Sequence, residues 1–307
     1  FKNQKNRNIM ILTTSKTIFA TYKLMGFLKV IFELTKFRLS FLVSFSAIFG
    51  YILASDTISL LDLFLLGLSG YLITASSVIN NQIFEIDFDK IMDRTKNRPL
   101  PTKRITTRSA LIVSICFALL GFLIMTYWFN PLASLFSLSS LLIYTFIYTP
   151  LKRYGPIAVF VGAIPGALPP LIGWVAFSGD VTIEAIIIFS IQFIWQFPHF
   201  WAIAWVYNDD YSKVGFKLLP SRGEKNFNTA LNIMTYTLFL IPLGLLPTLF
   251  GITGIISGAI AIICAILFLT QTFKLFKDYS KASALRIMFG SFIYLPIVQI
   301  SYILDKI

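Results

Sequence analysis

Nine apolar runs, each close to the ~20 residues that carry a helix across a bilayer core, constrain this 307-residue chain more than any other feature. They fall roughly at Leu39–Ala54, Leu60–Asn80, Ser109–Phe129, Leu132–Thr149, Pro156–Phe177, Thr182–Val206, Thr229–Phe250, Gly254–Phe273 and Leu285–Leu304. Hydrocarbon offers no water to a bare backbone, so runs of this length are expected to be helices. The charged fraction agrees: 13% of residues, against roughly 25% in a soluble protein. The expected fold is all-α, a polytopic membrane bundle of nine transmembrane helices filling residues 36–307. Residues 1–35 read as a cytoplasmic N-terminal tail or an interfacial helix, because Met10–Val30 mixes apolar residues with spaced lysines.

A net charge of +12 could suggest a nucleic-acid partner, but its distribution argues against one. Eight bases precede the first run, seven, two, four and three occupy every second connection after it, and Arg286 stands at the start of the ninth run on the same side. The alternate connections, 55–59, 130–131, 178–181 and 251–253, carry none, so that 25 of 26 bases face one side and only Lys306 the other. The positive-inside rule makes the basic side cytoplasmic. The chain is therefore expected in the cell inner membrane, surrounded by lipid, with its N-terminus and both long polar loops in the cytoplasm. Cys116 and Cys264 lie in apolar stretches without a CxxC or histidine partner, and His199 is the sole histidine, which excludes a histidine-rich metal centre.

Acids are what this topology does not require. Seven of the 14 fall in the two long cytoplasmic connections: Glu85, Asp87, Asp89 and Asp93 after the second span, and Asp209, Asp210 and Glu224 after the sixth. The placement suggests a duplicated arrangement. If the second helix continues past Asn80, then Asn81, Glu85 and Asp89 share one face along about 12 Å. Hard oxygen donors on one face suit Mg²⁺, which completes its shell with water and substrate phosphate. Lys90, Arg94, Lys96, Arg98 and Lys103 follow, and arginine forks match phosphate oxygens. Pro99 and Pro101 should stop the helix and fold this basic loop back over the acids, whereas Arg104 and Arg108 read as topology charges. Acids and bases together at the mouth of an apolar cavity suit a metal-bound diphosphate. The second cluster, "YNDDYSKVGFKLLP" from Tyr207, could form the opposing wall, with Gly215 permitting a tight turn.

These residues resemble the UbiA superfamily of intramembrane prenyltransferases, from "LTKFR" at Leu34–Arg38 to the ninth span. The superfamily's NxxxDxxxD motif is matched by Asn81, Glu85 and Asp89, with Glu in place of the first Asp. "DRTKNRP" at Asp93–Pro99 matches its basic continuation, and "YTPLK" its YxxxK element. Within the superfamily the chain looks most like the branch that modifies heme. The strings that say so are "YTPLKR" at Tyr148–Arg153, "GAIPGALPPLIGW" at Gly162–Trp174, "QFPHFWAIAW" at Gln196–Trp205 and "DDYSKVGFKLLP" at Asp209–Pro220. Two positions depart from the pattern: Val206 stands where a second DxxxD would begin, and Phe37 replaces the proline of TKPR beside Lys36 and Arg38.

The resemblance implies a UbiA-like bundle with Mg²⁺ held by Asn81, Glu85, Asp89 and Asp210, which with Lys152 form the catalytic set. It implies substrate contacts from Arg38, Arg94, Arg98, Tyr148, Asp209, Tyr211 and His199. It also implies farnesyl diphosphate as donor and heme b as acceptor, in a step of cytochrome oxidase heme biosynthesis whose product passes to a downstream heme-modifying enzyme. For His199 a heme contact stands beside a plain interfacial role, since Phe197, Phe200 and Trp201 surround it in sequence. Likewise, the glycines and prolines of the fifth span fit close packing as well as a kink that makes room for a porphyrin. Two rival activities remain: prenylation of a quinone-precursor aromatic, and secondary transport through acids in a duplicated bundle.

Overall fold

The structure, a computed structural model, describes residues 26–307; residues 1–25, and with them most of the Met10–Val30 segment, lie outside it. In chain order the helices are α1 (residues 26–34), α2 (Phe37–Ala54), α3 (Leu60–Phe84), α4 (Ile86–Ile91) and α5 (Thr107–Ile124), which a π-helical turn (Met125–Phe129) continues. Then come α6 (Pro131–Leu142), continued by a second π-helical turn (Ile143–Tyr148), the single turn α7 (Thr149–Leu151), α8 (Ile157–Ser178) and α9 (Ile183–Val206). The chain closes with α10 (Asn208–Lys213), α11 (Phe227–Leu249), α12 (Ile255–Asp278) and α13 (Lys281–Leu304). Among the described residues nine helices are long and apolar enough to cross a membrane, and the protein is a multi-pass membrane protein. They coincide with the nine apolar runs. The largest differences are polar extensions: α3 runs on to Phe84, α12 to Asp278, and α13 begins at Lys281. Charged ends lie beyond the hydrocarbon, where hydropathy no longer marks a helix that still continues.

Local chemistry sets the helix starts. Ser59, Thr106, Asn130, Thr182, Asn226 and Ser280 each accept a hydrogen bond from the backbone N–H three residues on. Pro131 follows Asn130 at the first helical position, where its missing N–H costs nothing. At the basic end of the bundle α1 does not hang free. Leu34 packs with Ile79, Leu100, Ile105 and Ala110, and Gln82 donates to the Leu34 carbonyl at 2.6 Å. Arg104 pairs with Glu33 at 2.6 Å and also reaches the Asn97 carbonyl, so it tethers the loop to α1 in addition to its topological charge.

Helices in lipid gain little from apolar contact alone, so close approach of small residues decides which pairs lock. α8 is the most buried of the nine spans. It crosses α2 where Gly50 and Gly173 leave no room for a side chain: a Cβ on Gly173 would lie 1.8 Å from the Ala47 carbonyl oxygen, and one on Gly50 1.9 Å from that of Pro170. Gly162 makes the same allowance for the Tyr148 ring and Gly166 for Gln196. The prolines of α8 each remove an N–H and so free a carbonyl one turn back. The Gly166 carbonyl, released by Pro170, accepts from Gln192 at 2.8 Å and Gln196 at 3.0 Å on α9. Gln192 continues this polar thread to Gln299 of α13 at 2.9 Å, and Gln299 to Ser46 of α2 at 3.2 Å. Close packing therefore accounts for the glycines and prolines of the fifth span. A small cavity of about 30 Å³, lined by residues including Ala47, Ile73, Met125 and Pro169, remains among α2, α3, α6 and α8.

At the opposite end of the bundle Lys306 donates to the carbonyls of Ile52, at 3.0 Å, and Ser55, while Asp305 accepts from the Ser257 amide at 2.7 Å. The lone base on that side thus ties α13 to the end of α2, and Asp305 ties it to the start of α12.

Gly173→Ala and Gly50→Ala should each destabilise the bundle by about 3 kcal/mol or more, because a methyl would have to displace backbone. Gly70→Ala, whose Cβ would meet α2 at an ordinary 3.6 Å, should be tolerated. Thermal unfolding of the three variants in detergent checks this, and equal melting temperatures would refute it.

Candidate functional site

The charged mouth of the bundle is built around a break in α3. Glu85 leaves the helical region (φ −103, ψ 9), yet backbone bonds from Glu85 N to Asn81 O and from Asp89 N to Glu85 O keep the turn spacing. Asn81, Glu85 and Asp89 are therefore all buried, at 2%, 5% and 0% exposure. Each is already engaged. Arg98 Nη1 donates to both Asp89 oxygens at 2.9 and 2.8 Å, and Lys152 Nζ stands 2.8 Å from Glu85 Oε1. That ammonium is the partner of an otherwise unpartnered buried oxygen. Asn81 Nδ2 donates to Thr149 Oγ1 at 3.0 Å.

The basic loop does fold back over the acids. Met92, Thr95, Pro99 and Leu100 are buried, and Thr95 donates to the Asp89 carbonyl at 3.1 Å, which brings Arg98 over that carboxylate. The other wall depends on the π-helical turn at Ile143–Tyr148. Its wider coil sends the Thr149 hydroxyl back to the Tyr144 carbonyl at 2.8 Å and seats the Tyr148 ring on Gly162, with the Lys152 ammonium 4.7 Å from that ring's centroid. Burial alone would discourage a charge on Lys152, but Glu85 and the neighbouring tyrosines outweigh it and hold the amine above its ordinary value.

Lys36 completes the cluster and was not singled out as a site residue. It adopts a left-handed backbone (φ 45, ψ 57), uncommon for a residue with a Cβ, between α1 and α2. Thr35 and Gln82 fix that corner: Tyr71 donates to the Thr35 hydroxyl at 3.0 Å, while Gln82 holds Leu34. Burial, then the nearby Arg98 and Lys152 cations, push the Lys36 amine well below its usual pKa, and it has no hydrogen bond or ion pair among the described residues. Arg38, expected to touch substrate, is instead exposed, because the turn at Lys36 directs the earlier base inward. The only sequence signal was the shared TKPR-like string.

α10 repeats the architecture of α4. Tyr207 breaks from α9 with nearly the dihedrals of Glu85 (φ −104, ψ 19), and a six-residue helix follows, with two acids in its first turn and a lysine in its last. The register differs by one residue. Counted from the break, Tyr211 and not Asp210 occupies the place of Asp89. Asp210 is accordingly turned to the basic loop: it accepts the backbone amides of Asp93 at 3.1 Å and Arg94 at 3.0 Å and pairs with Lys213 at 2.9 Å. Among the described residues no three His, Cys, Asp or Glu side chains converge as a metal site, and Asp210 is engaged by the basic loop and Lys213. Tyr211 accepts from Arg94 at 3.2 Å, and the Arg94 guanidinium lies 4.8 Å from the Tyr207 ring centroid. Asp209 is exposed and pairs with Lys225 at 3.4 Å.

Lys213 bridges both loops by pairing with Asp93 as well. Lys213 and Lys96 hold the Asp93 carboxyl down to about 2. Burial works against the Asp210 carboxylate, but Lys213 and the two loop amides prevail and lower its pKa. His199 is remote from these charges, within α9, where its Nδ1 meets Ser291 Oγ of α13 at 2.8 Å. Arg94, Arg98 and Lys152 against Glu85 and Asp89 leave one positive charge in excess (three minus two), with the Lys36 amine beside them. The mouth is built to receive an anion.

Comparison with known proteins agrees with this geometry. Residues 43–295 match the UbiA prenyltransferase family. The chain is 53% identical to protoheme IX farnesyltransferase of Cytophaga hutchinsonii over 277 residues, covering 90% of this chain and 97% of that protein. In fold it is similar to digeranylgeranylglyceryl phosphate synthase (TM-score 0.75, 24% identity, 91% of this chain and 98% of that one). It is also similar to a UbiA homolog from Archaeoglobus fulgidus solved with GPP and Mg²⁺ (TM-score 0.68, 17% identity, 89% and 99%). The chain belongs to the UbiA prenyltransferase family.

Asp210→Ala should free the amides of Asp93 and Arg94. A hydrogen bond to a charged acceptor contributes about 1.5–3 kcal/mol, so hydrogen exchange in the 92–98 segment should rise by at least about tenfold. Mass-spectrometric exchange at matched pH checks it; protection equal to wild type would show that the two loops are not clamped there.

Proposed function

We propose that this UbiA-family enzyme transfers a farnesyl group from farnesyl diphosphate to a vinyl group of heme b, yielding heme O and diphosphate. Prenyl transfer follows from the family, and the name of the Cytophaga relative, protoheme IX farnesyltransferase, supplies the donor and acceptor. The observation that carries the reading at atomic level is the buried, cross-paired cluster of Glu85–Lys152 and Asp89–Arg98, with the unpaired amine of Lys36 beside it.

Asn81, Glu85 and Asp89 fit a hard divalent cation: two carboxylates and a carboxamide, all buried, with no sulfur or imidazole beside them. The A. fulgidus homolog holds Mg²⁺ beside a prenyl diphosphate, and we assign the same metal to these three residues. Mg²⁺ bound there supplies positive charge against the diphosphate as the allylic C–O bond weakens. The chain's own bases do the rest. As the diphosphate arrives, Lys152 and Arg98 exchange their carboxylate partners for phosphate oxygens, and Lys36 and Arg94 add the remaining charge. Lys152 is positioned by the Tyr148 ring and Arg94 by Tyr207 and Tyr211. These cations are fixed where negative charge grows on the leaving group, and so favour the transition state over the bound substrate.

Carbon 1 of the farnesyl chain then bonds to the vinyl carbon of heme. Water adds to the cation left on the adjacent carbon and loses a proton, giving the hydroxyethylfarnesyl side chain. Asp210 and Lys213 act on the loop and not on the reacting atoms, whereas Asp209 and Arg38 stay at the periphery. The charge pattern supports a cytoplasmic site, since 25 of 26 bases lie on the side of the mouth. The enzyme would work in the cell inner membrane and hand its product to a further heme-modifying enzyme.

Membranes containing the protein, given heme b, farnesyl diphosphate and Mg²⁺, should yield a heme heavier by a farnesyl group and a hydroxyl group. Asp89→Asn, which stays uncharged beside Arg98, should lower kcat by roughly 10²- to 10³-fold while the protein remains inserted. Chelation of Mg²⁺ should stop turnover. Mass spectrometry of extracted hemes reads all three. The reading fails if no such mass gain appears, or if a quinone-precursor aromatic is prenylated in its place.

A further inference from the structure

His199 is used by none of the chemistry at the mouth, yet its surroundings prepare it for a specific task. Ser291, fully buried on α13, lies 2.6 Å from the Met288 carbonyl oxygen and 2.8 Å from His199 Nδ1. A carbonyl can only accept, so the serine hydroxyl proton points to Met288 and its lone pair faces the histidine. Nδ1 must therefore carry the proton. The neutral ring is fixed in one tautomer, with the Nε2 lone pair bare and without a hydrogen-bond partner among the described residues.

The ring plane is fixed as firmly. Trp195 stacks on it at 4.4 Å with 19° between planes, and its indole N–H donates to the Ser291 carbonyl at 3.1 Å. Phe200 and Phe292 approach edge-on at 5.4 and 5.2 Å. The side chain is half-buried, seven residues and about 10 Å before the cytoplasmic end of α9. A histidine that serves only to pack gains nothing from a bare nitrogen in an apolar membrane setting. A neutral imidazole whose other nitrogen donates to a fixed acceptor is the usual form of a metal-ligating histidine.

We propose that Nε2 of His199 is an axial ligand to the iron of the heme acceptor. Ser291 and Trp195 then act as positioning residues that set the tautomer and ring plane, and the flanking phenylalanines face the porphyrin. This inference rests on the heme reading of function. It assigns the acceptor's anchor to α9 and α13, separate from the charged mouth that holds the donor. Ligation fixes the macrocycle through its metal, so that the vinyl edge is presented without any polar contact to the reacting carbon.

The test uses the purified full chain in detergent, titrated with ferric heme b without donor and followed by absorption and electron paramagnetic resonance. Wild type should show a nitrogen-ligated heme. His199→Asn, which can still donate to Ser291 but lacks Nε2, should lose that signature, and free imidazole should restore it. Ser291→Ala should weaken heme binding by about tenfold. Protection of each variant by farnesyl diphosphate against thermal unfolding, unchanged from wild type, shows that the donor site is intact. A nitrogen-ligated spectrum that survives in His199→Asn overturns the proposal, as does wild type that turns heme over without ever showing one. Wild type that neither binds nor converts heme overturns the functional reading itself, and this inference with it.

Discussion

Two buried carboxylates, each held against a cation, set the terms for everything else at the charged mouth of the bundle. Isolated, Glu85 and Asp89 would be costly to bury at the edge of a membrane. Paired with Lys152 and Arg98 they become tolerable, and the pairing stores the groups that a metal diphosphate requires. In the proposed reaction the substrate would bring both charges of its own, and binding would be an exchange of partners in which no charge is left alone. This explains why the site needs a surrounding structure of such detail. Lys152 depends on the π-helical turn, Arg98 on the buried anchors of its loop, and the loop on the carboxylate of Asp210.

The duplicated arrangement takes a different meaning in this light. Both halves deliver a long helix, a one-residue break and a short acidic helix to the same face. Only the first break aims its acids into the bundle. In the second, a shift of one residue places Tyr211 where a buried carboxylate would be and spends Asp210 on backbone amides. One half carries the charge exchange and the other holds the first in place.

Much of this was legible in the residues. The nine spans follow from hydropathy because lipid admits few alternatives, and Asn81, Glu85 and Asp89 stand out because topology has no need of acids. What was not legible depends on single dihedral angles. Nothing in the spacing of Asp209 and Asp210 shows that the helix breaks at Tyr207, and hence which side chain turns inward. Lys36 and Arg38 are equivalent as letters; a left-handed turn fixed by Gln82 and Tyr71 decides between them. The π-helical turn at Tyr148 depends on a glycine more than a dozen residues later, and so on packing that no local pattern encodes.

The contact of Lys306 with the end of α2 makes neighbours of the first and last of the nine spans. Helices that enter a membrane one after another can pair with their predecessors at once, but α2 must wait. Its flank toward α13, including Ser46 with its link to Gln299, has no protein partner until every other span is in place. The ring is thus completed by its final helix, and a nascent chain keeps an open seam, polar at its centre, for the whole of its insertion.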